Sequence, residues 1–368
     1  LAKILLILIL DLNVQHLTAT TQNKKNEKDL FMPLNQETEI FLEQAAQSGQ
    51  PPLSEQEPAA ARKMNAVFVA ASHPPEPVAQ LEHRTIPGPG GEIPLCIYTP
   101  FGAGPFPLLV YFHGGGWVIG DLPMVDSICR TLANAAACVV VSVDYRLAPE
   151  NKFPAGLEDA YTATKWVAEN AALLNGDSRL IAVAGESAGG NLAAGVTLMA
   201  RERGDFALIY QLLIYPITKY QSNTPSFHQY GENYFLTADL INWFWDHYLP
   251  SPTEGKNPYA SPLLAENLAN LPPGLIVTAE FDPLRDEGEA YGDRLREAGV
   301  EIKTIRYDGT IHAFINFAKF LPLGQTALKE IGAILQTAFT QSKKSLINPD
   351  QNTDQNTDQN TDQNTDQK

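Results

Sequence analysis

Cysteine is scarce in this chain of 368 residues: there are three, Cys96, Cys129 and Cys138. The number is odd and no C-x-x-C spacing occurs, which excludes a disulfide framework and a cysteine-built zinc site. Each is expected buried as a small hydrophobe. Basic charge is short as well, with 26 Lys and Arg against 42 Asp and Glu and a net charge of −16. A nucleic-acid binder neutralises phosphates with a basic face, so that class is excluded. The apolar run Leu1 to Leu10 is stopped by Asp11, Asn13 and Gln15, well short of the roughly 20 apolar residues that cross a bilayer. What the chain does have is apolar material, 44 % hydrophobic against 18 % charged residues. That excludes disorder of the whole chain. At roughly 100–200 residues per domain, the length admits one large domain or a few small ones.

The two ends differ from the rest. Residues 1–31 read either as a leader, with a basic start, an apolar stretch and Leu17-Thr18-Ala19 as a weak cleavage site, or as an upstream extension, because the first methionine is Met32. The leader would make the protein secreted or periplasmic; the extension leaves it cytoplasmic, which is the expected location. From Gln351 the unit Gln-Asn-Thr-Asp repeats four times and closes with Gln367-Lys368. Such a segment has no apolar side chains to offset the entropy of ordering, so residues 343–368 are expected to form a disordered tail.

The middle is organised by periodicity. Glu37 to Ala46 reads as a helix with Ile40, Phe41 and Ala45 on one face, followed by Pro-rich linkers at Pro51-Pro52 and at Pro74-Pro75 with Pro77. Gly88-Pro89-Gly90-Gly91 lies between two extended runs, His83–Pro87 and Ile93–Tyr98, and reads as a hairpin turn. From Phe106 the strand candidates are Leu108–Phe112, Cys138–Asp144, Leu180–Ala184, Ile209–Tyr215, Gly274–Ala279 and Val300–Tyr307. Helical patterns alternate with them near Val125–Ala136, Gly156–Glu169, Ala188–Arg201 and Arg285–Ala298. Apolar strands alternating with crossover helices predict an α/β fold, a mostly parallel sheet with helices on both faces. The interval from Pro216 to about Pro262 breaks the rhythm. It carries its own helix, Ala238 to Tyr248, and a dense set of aromatic rings, as a lid over a site would.

Two glycine-flanked motifs carry the chemistry. Gly185-Glu186-Ser187-Ala188-Gly189 matches G-x-S-x-G between a strand and a helix, the context in which a tight turn exposes the serine hydroxyl. His113-Gly114-Gly115-Gly116-Trp117 also follows a strand, and consecutive glycines let backbone N–H groups converge on one oxygen. A phosphate cradle is disfavoured there, since no Lys follows and G-x-G-x-x-G spacing is absent. On such a fold the order is Ser, then acid, then His. The histidines after Ser187 are His228, His247 and His312; the first two lie in the inserted interval, and His312 follows the last strand. The acid candidate is Asp282, at the carboxyl end of its strand, with Glu280 left open. Asp286 reads as a helix cap, and Asp308 is too near His312 to orient it. Asp126 and Asp159 read as solvated, and Arg146 with Glu150 as an ion pair.

Together with Asp144-Tyr145-Arg146-Leu147-Ala148-Pro149-Glu150, Phe153-Pro154-Ala155 and Asp282-Pro283-Leu284-Arg285-Asp286-Glu287, these motifs resemble the hormone-sensitive lipase family of esterases, over roughly Met32 to Phe339. Glu186 stands where Asp is commoner in that family and has no expected part in the chemistry. The resemblance implies an α/β-hydrolase fold, a mostly parallel eight-stranded sheet flanked by helices with a helical cap. Residues 32–80 and 216–261 would form the cap, and 81–215 and 262–342 the core. It implies a serine carboxylesterase for short- to medium-chain acyl esters with Ser187, Asp282 and His312 as the triad. The oxyanion would be received by N–H groups of Gly115, Gly116 and Ala188, with His113 and Gly114 shaping the loop. No cofactor or metal is implied. The expected partner is a small-molecule ester, with no nucleic acid and no stable membrane span; a homodimer stays open. An amidase or peptidase with the same triad, or a non-catalytic receptor on the same fold, is the alternative.

Overall fold

The computed structural model describes residues 33–47, 49 and 51–347. The leader or extension at 1–31 and the Gln-Asn-Thr-Asp repeat lie outside the described residues, and the expected tail 343–368 begins too early, since the last helix runs to Ile347. Eight strands form one sheet: β1 (Gln80–Gly88), β2 (Gly91–Thr99), β3 (Phe106–Phe112), β4 (Val139–Val143), β5 (Gly176–Glu186), β6 (Tyr210–Ile214), β7 (Gly274–Phe281) and β8 (Ile302–Ile311). Their order is β1-β2-β4-β3-β5-β6-β7-β8. β1 and β2 form the expected hairpin, closing at the pair Gly88↔Gly91, and β2 runs antiparallel to β4. All other neighbours are parallel. Every residue of β4, β6 and β7 is buried, as parallel strands covered on both faces must be. β1, at the edge, keeps its polar side chains outward.

The helices are α1 (Gln36–Gln47), α2 (Pro58–Ala61), α3 (Asn65–Ala71), α4 (Asp126–Ala136), α5 (Ala155–Glu169), α6 (Ala188–Arg203), α7 (Pro225–Tyr230), α8 (Ala238–Tyr248), α9 (Arg285–Glu297) and α10 (Pro322–Ile347). α6 is buried without interruption from Ala188 to Ala200. Its small residues let the helix lie close on the sheet, where an amphipathic helix would leave a polar face in water. α8 starts where Thr237 accepts the Leu240 N–H at 3.1 Å, a regular N-cap.

One topological fact positions the site. The chain leaves β3 to form β4 on one side, then returns to form β5 on the other side of β3. The loops leaving the carboxyl ends of β3 and β5 therefore diverge and open a crevice, the usual ligand position in an open α/β sheet. The glycine loop follows β3 and Ser187 follows β5.

Several expectations need correction. The Pro-rich linkers at 51–52 and 74–77 lie outside the regular elements, but the stretch between them, for which no helix is expected, is helical, with 3-10 turns Leu53–Glu55 and Arg62–Met64 alternating with α2 and α3. Pro58 sits at the start of α2, where the missing N–H costs nothing. On α1, Ile40 is 44 % exposed and Ala45 is also exposed, while Phe41 packs 4.7 Å from Phe317. Arg146 does not pair with Glu150. It binds Asp159 through Nε and Nη2 at 2.7 and 2.8 Å, and Glu150 pairs with Arg62 at 2.6 Å. Asp159 is 1 % exposed, not solvated, because that guanidinium covers it. Asp126 pairs with Arg130 one turn along α4 at 2.9 Å. β8 continues four residues past Tyr307, so Asp308-Gly309-Thr310 belongs to the strand and not to a loop. α10 is not among the expected helices, although its buried residues Leu328, Ile331, Leu335 and Phe339 recur at helical spacing; that face packs on α4 and β5.

Candidate active site

Ser187 joins β5 to α6 with φ 54° and ψ −116°, a conformation an L-residue adopts only under constraint. The turn is tight enough that a Cβ on Gly189 would stand 2.0 Å from the Phe112 carbonyl oxygen. Only glycine fits there. The serine N–H donates to the Ile214 carbonyl at 2.8 Å, anchoring the turn to β6.

The acid and the base are brought together by strand register. Phe281 and Ile311 are paired across β7 and β8, so the next residues, Asp282 and His312, emerge side by side. The His312 Nδ1–H donates to Asp282 Oδ2 at 2.7 Å, and His312 Nε2 lies 3.0 Å from Ser187 Oγ. Nδ1 faces a carboxylate and so carries the proton, leaving Nε2 as acceptor for the serine hydroxyl. Asp282 Oδ1 accepts the Leu284 N–H at 2.8 Å, and the carboxylate is fully buried. The structure thus brings Ser187, His312 and Asp282 into one hydrogen-bonded line.

The other candidates fall elsewhere. Glu280 accepts the Gly309 N–H at 2.7 Å and holds the irregular end of β8. Asp286 accepts the Ser226 N–H at 2.8 Å, and Asp308 is exposed. His228 is exposed on α7, and His247 Nδ1–H donates to the Trp243 carbonyl within α8 at 2.7 Å.

After β3 the glycine loop turns back over the crevice. Gly116 has φ +59°, and a Cβ there would lie 2.1 Å from the Phe244 ring of α8. The Gly114 N–H is already taken, donating to Glu186 Oε1 at 3.2 Å. The N–H groups of Gly115 and Gly116 donate to no protein group among the described residues. Ala188 is the first residue of α6, where an N–H has no intrahelical partner. His113 supports the loop from below: it is buried, stacks 4.3 Å from Tyr145, and its Nδ1–H donates to the Gly114 carbonyl at 2.7 Å. Trp117 stacks on Tyr248 of α8 at 4.0 Å, so the inserted interval braces this loop.

A cavity of about 50 Å³ opens over Ser187 and His312, floored by Gly114, Gly115 and Gly116 and walled by Phe68, Met124, Leu240 and Phe244 among others. Sequence reasoning missed three polar residues beside it, Glu186, Tyr215 and Asn316. The legible signal was Glu186, a charge inside a motif of otherwise small, uncharged residues, since such a charge requires partners once buried. Burial, with Glu186 adding to it, pushes the Tyr215 hydroxyl well above its ordinary range, so it stays protonated and donates. Glu287, buried under the Thr218 and Lys219 N–H groups, is pushed up to about 7 by burial.

The alpha/beta hydrolase fold family matches residues 109–316, more than half of the chain. The chain belongs to the alpha/beta-hydrolase family. This alpha/beta hydrolase is 38 % identical over 273 residues to an arylesterase of Saccharolobus solfataricus, covering 74 % of this chain and 88 % of that one. It is 46 % identical over 239 residues to the carboxylic ester hydrolase LipN of Mycobacterium tuberculosis, and spans 63 % of LipN's length. Among solved structures, a hyperthermophilic esterase from the archaeon Pyrobaculum calidifontis superposes with TM-score 0.79 at 46 % identity, covering 83 % of this chain and 99 % of that one. Within the family, this alpha/beta hydrolase falls among the hormone-sensitive-lipase-like carboxylic ester hydrolases. No helix among its described residues is long and apolar enough to cross a membrane.

Proposed function

We propose that this alpha/beta hydrolase cleaves short- to medium-chain acyl esters of small alcohols through an acyl-enzyme on Ser187. The observation that carries the reading is the line Ser187 Oγ, His312 Nε2, His312 Nδ1, Asp282 Oδ2, with steps of 3.0 and 2.7 Å, at the floor of an apolar cavity. His312 takes the hydroxyl proton as Ser187 Oγ forms a bond to the ester carbonyl carbon, and Asp282 stabilises the imidazolium. The oxyanion is received by N–H groups of Gly115, Gly116 and Ala188. Collapse breaks the carbon–alkoxy bond, His312 gives its proton to the departing alcohol, and the acyl group remains on Ser187. Water then attacks the acyl carbon with His312 as base again, releasing the carboxylic acid and restoring the serine hydroxyl. The narrow cavity favours short acyl groups over long chains. The relatives named as esterases support an ester over an amide.

The test is turnover of 4-nitrophenyl esters from acetate to decanoate, with a matched anilide, by the full chain and by Ser187→Ala. Ser187→Ala is expected to lose at least about a thousandfold in kcat with unchanged circular dichroism. Retained activity in that variant, or faster anilide than ester turnover, overturns the reading.

A further inference from the structure

Glu186 precedes the nucleophile and is 2 % exposed. A buried carboxylate is costly unless its oxygens are satisfied. Both are. Oε1 accepts the Gly114 N–H at 3.2 Å and an Asn316 Nδ2–H at 3.1 Å, and Oε2 accepts the Tyr215 O–H at 2.9 Å. The three donors come from three parts of the site. Gly114 opens the glycine loop after β3. Asn316 lies four residues beyond His312. Tyr215 directly follows β6, and its ring centre is 4.6 Å from that of His312.

We propose that Glu186 is a positioning residue for hydrolysis. Its one carboxylate ties the glycine loop to the nucleophile turn and to the segment carrying the base. The amides of Gly115 and Gly116, Ser187 Oγ and His312 then keep a single relative geometry. The inference rests on the hydrolase reading above. Oxyanion donors act on charge that develops only in the transition state, so a loosened loop lowers kcat and leaves KM nearly alone.

A neutral isostere separates hydrogen bonding from charge. In Glu186→Gln the amide oxygen can keep the Gly114 and Asn316 donors. Its NH2 can donate to the Tyr215 oxygen, whose own O–H then turns to Asn316 Oδ1, 2.9 Å away. Glu186→Ala leaves the Gly114 and Asn316 donors unpaired, while the Tyr215 O–H can turn to Asn316 Oδ1.

The experiment measures kcat and KM on 4-nitrophenyl acetate for the full chain and for Glu186→Ala, Glu186→Gln, Asn316→Ala and Ser187→Ala. Glu186→Ala is expected to lower kcat about 100-fold, the size of a lost oxyanion donor, with KM within about threefold. Glu186→Gln is expected to recover at least about tenfold of that loss, and Asn316→Ala, which removes one donor, to lower kcat roughly tenfold. The inference is overturned if Glu186→Ala keeps kcat within about threefold of the parent, if it raises KM alone, or if Glu186→Gln is as slow as Glu186→Ala. Should Glu186→Ala fail to fold, Asn316→Ala decides, and an unchanged kcat there overturns it. Ser187→Ala keeps the two readings apart. An active Ser187→Ala sinks the hydrolase assignment, whereas an inactive one beside a parent-like Glu186→Ala sinks only the role of Glu186.

Discussion

Asp159, on α5, takes three hydrogen bonds from Arg146, from its backbone N–H at 3.0 Å and from Nε and Nη2 of its guanidinium. This fork holds the chain after β4 against the start of α5, close behind the glycine loop that Tyr145 braces through His113. Removing the acid strands a cation with 28 % of its side chain exposed. Asp159→Ala is therefore expected to cost about 3 kcal/mol, the low end for a broken buried pair. Urea unfolding followed by circular dichroism measures it, and a loss within error of zero would show that water replaces the acid. Glu150, by contrast, is half exposed beside Arg62, and such a pair contributes little. At this scale Ser187 and His312, the proposed nucleophile and base, were legible as neighbours, because motif context and chain order leave few choices. The partners of Arg146 were not, since a guanidinium selects its carboxylate by distance across a turn and not by spacing in sequence.

Among elements, the β7–β8 pair sets Asp282 beside His312, and α9 follows directly after β7. Glu287 at the start of α9 is fully buried, and its carboxyl titrates at about 7 in the folded chain against roughly 4.3 when unfolded. The folded state thus holds a proton that the unfolded state releases. The resulting stability is complete below the unfolded value and is lost as pH rises through about 7. The swing is on the order of 3 kcal/mol. Glu287→Gln is expected to remove it, so the fall in Tm from pH 5 to pH 8 should be smaller in the variant than in the parent. An equal fall in both would assign the pH dependence elsewhere. α8 supplies a second prediction. Leu240 is part of the cavity wall, and Leu240→Ala should admit longer acyl groups. Each added methylene then gains about 0.8 kcal/mol of burial, roughly fourfold in kcat/KM relative to acetate. An unaltered chain-length profile would place the acyl group away from α8. The helix α8 was read from sequence with its bounds intact, whereas its contact with Gly116 was not readable.

At the scale of the whole molecule, the described residues form one sheet with its switch point between β3 and β5, and the chain is strongly acidic. A net charge of −16 repels itself more in the folded chain than in the expanded one. Raising the salt from low ionic strength to about 0.15 M, where the screening length is about 8 Å, is expected to raise Tm by a few degrees. A Tm independent of salt would mean that the acidic groups are locally compensated, as Asp177 by Arg179, Asp205 by Lys165 and Glu158 by Arg203 are in part.

Local chemistry is written into the sequence by itself. A glycine-flanked serine between a strand and a helix, three glycines after a strand, and a histidine after the last strand each answer to a backbone requirement that a few residues meet alone. The alternation of buried strands and helices follows from the same kind of signal, since a parallel strand covered on both faces must be apolar throughout. The tertiary structure alone decided what depends on distances between segments far apart in the chain. Glu186 meets Asn316 because β5 and the segment after β8 converge at the crevice. Asp282 meets His312 because Phe281 pairs with Ile311. Asp159 is buried because Arg146 reaches it, and the apolar stripe of α10 is covered because α4 lies against it. A buried charge or an apolar stripe states a demand for a partner, and only the folded chain determines which group meets it.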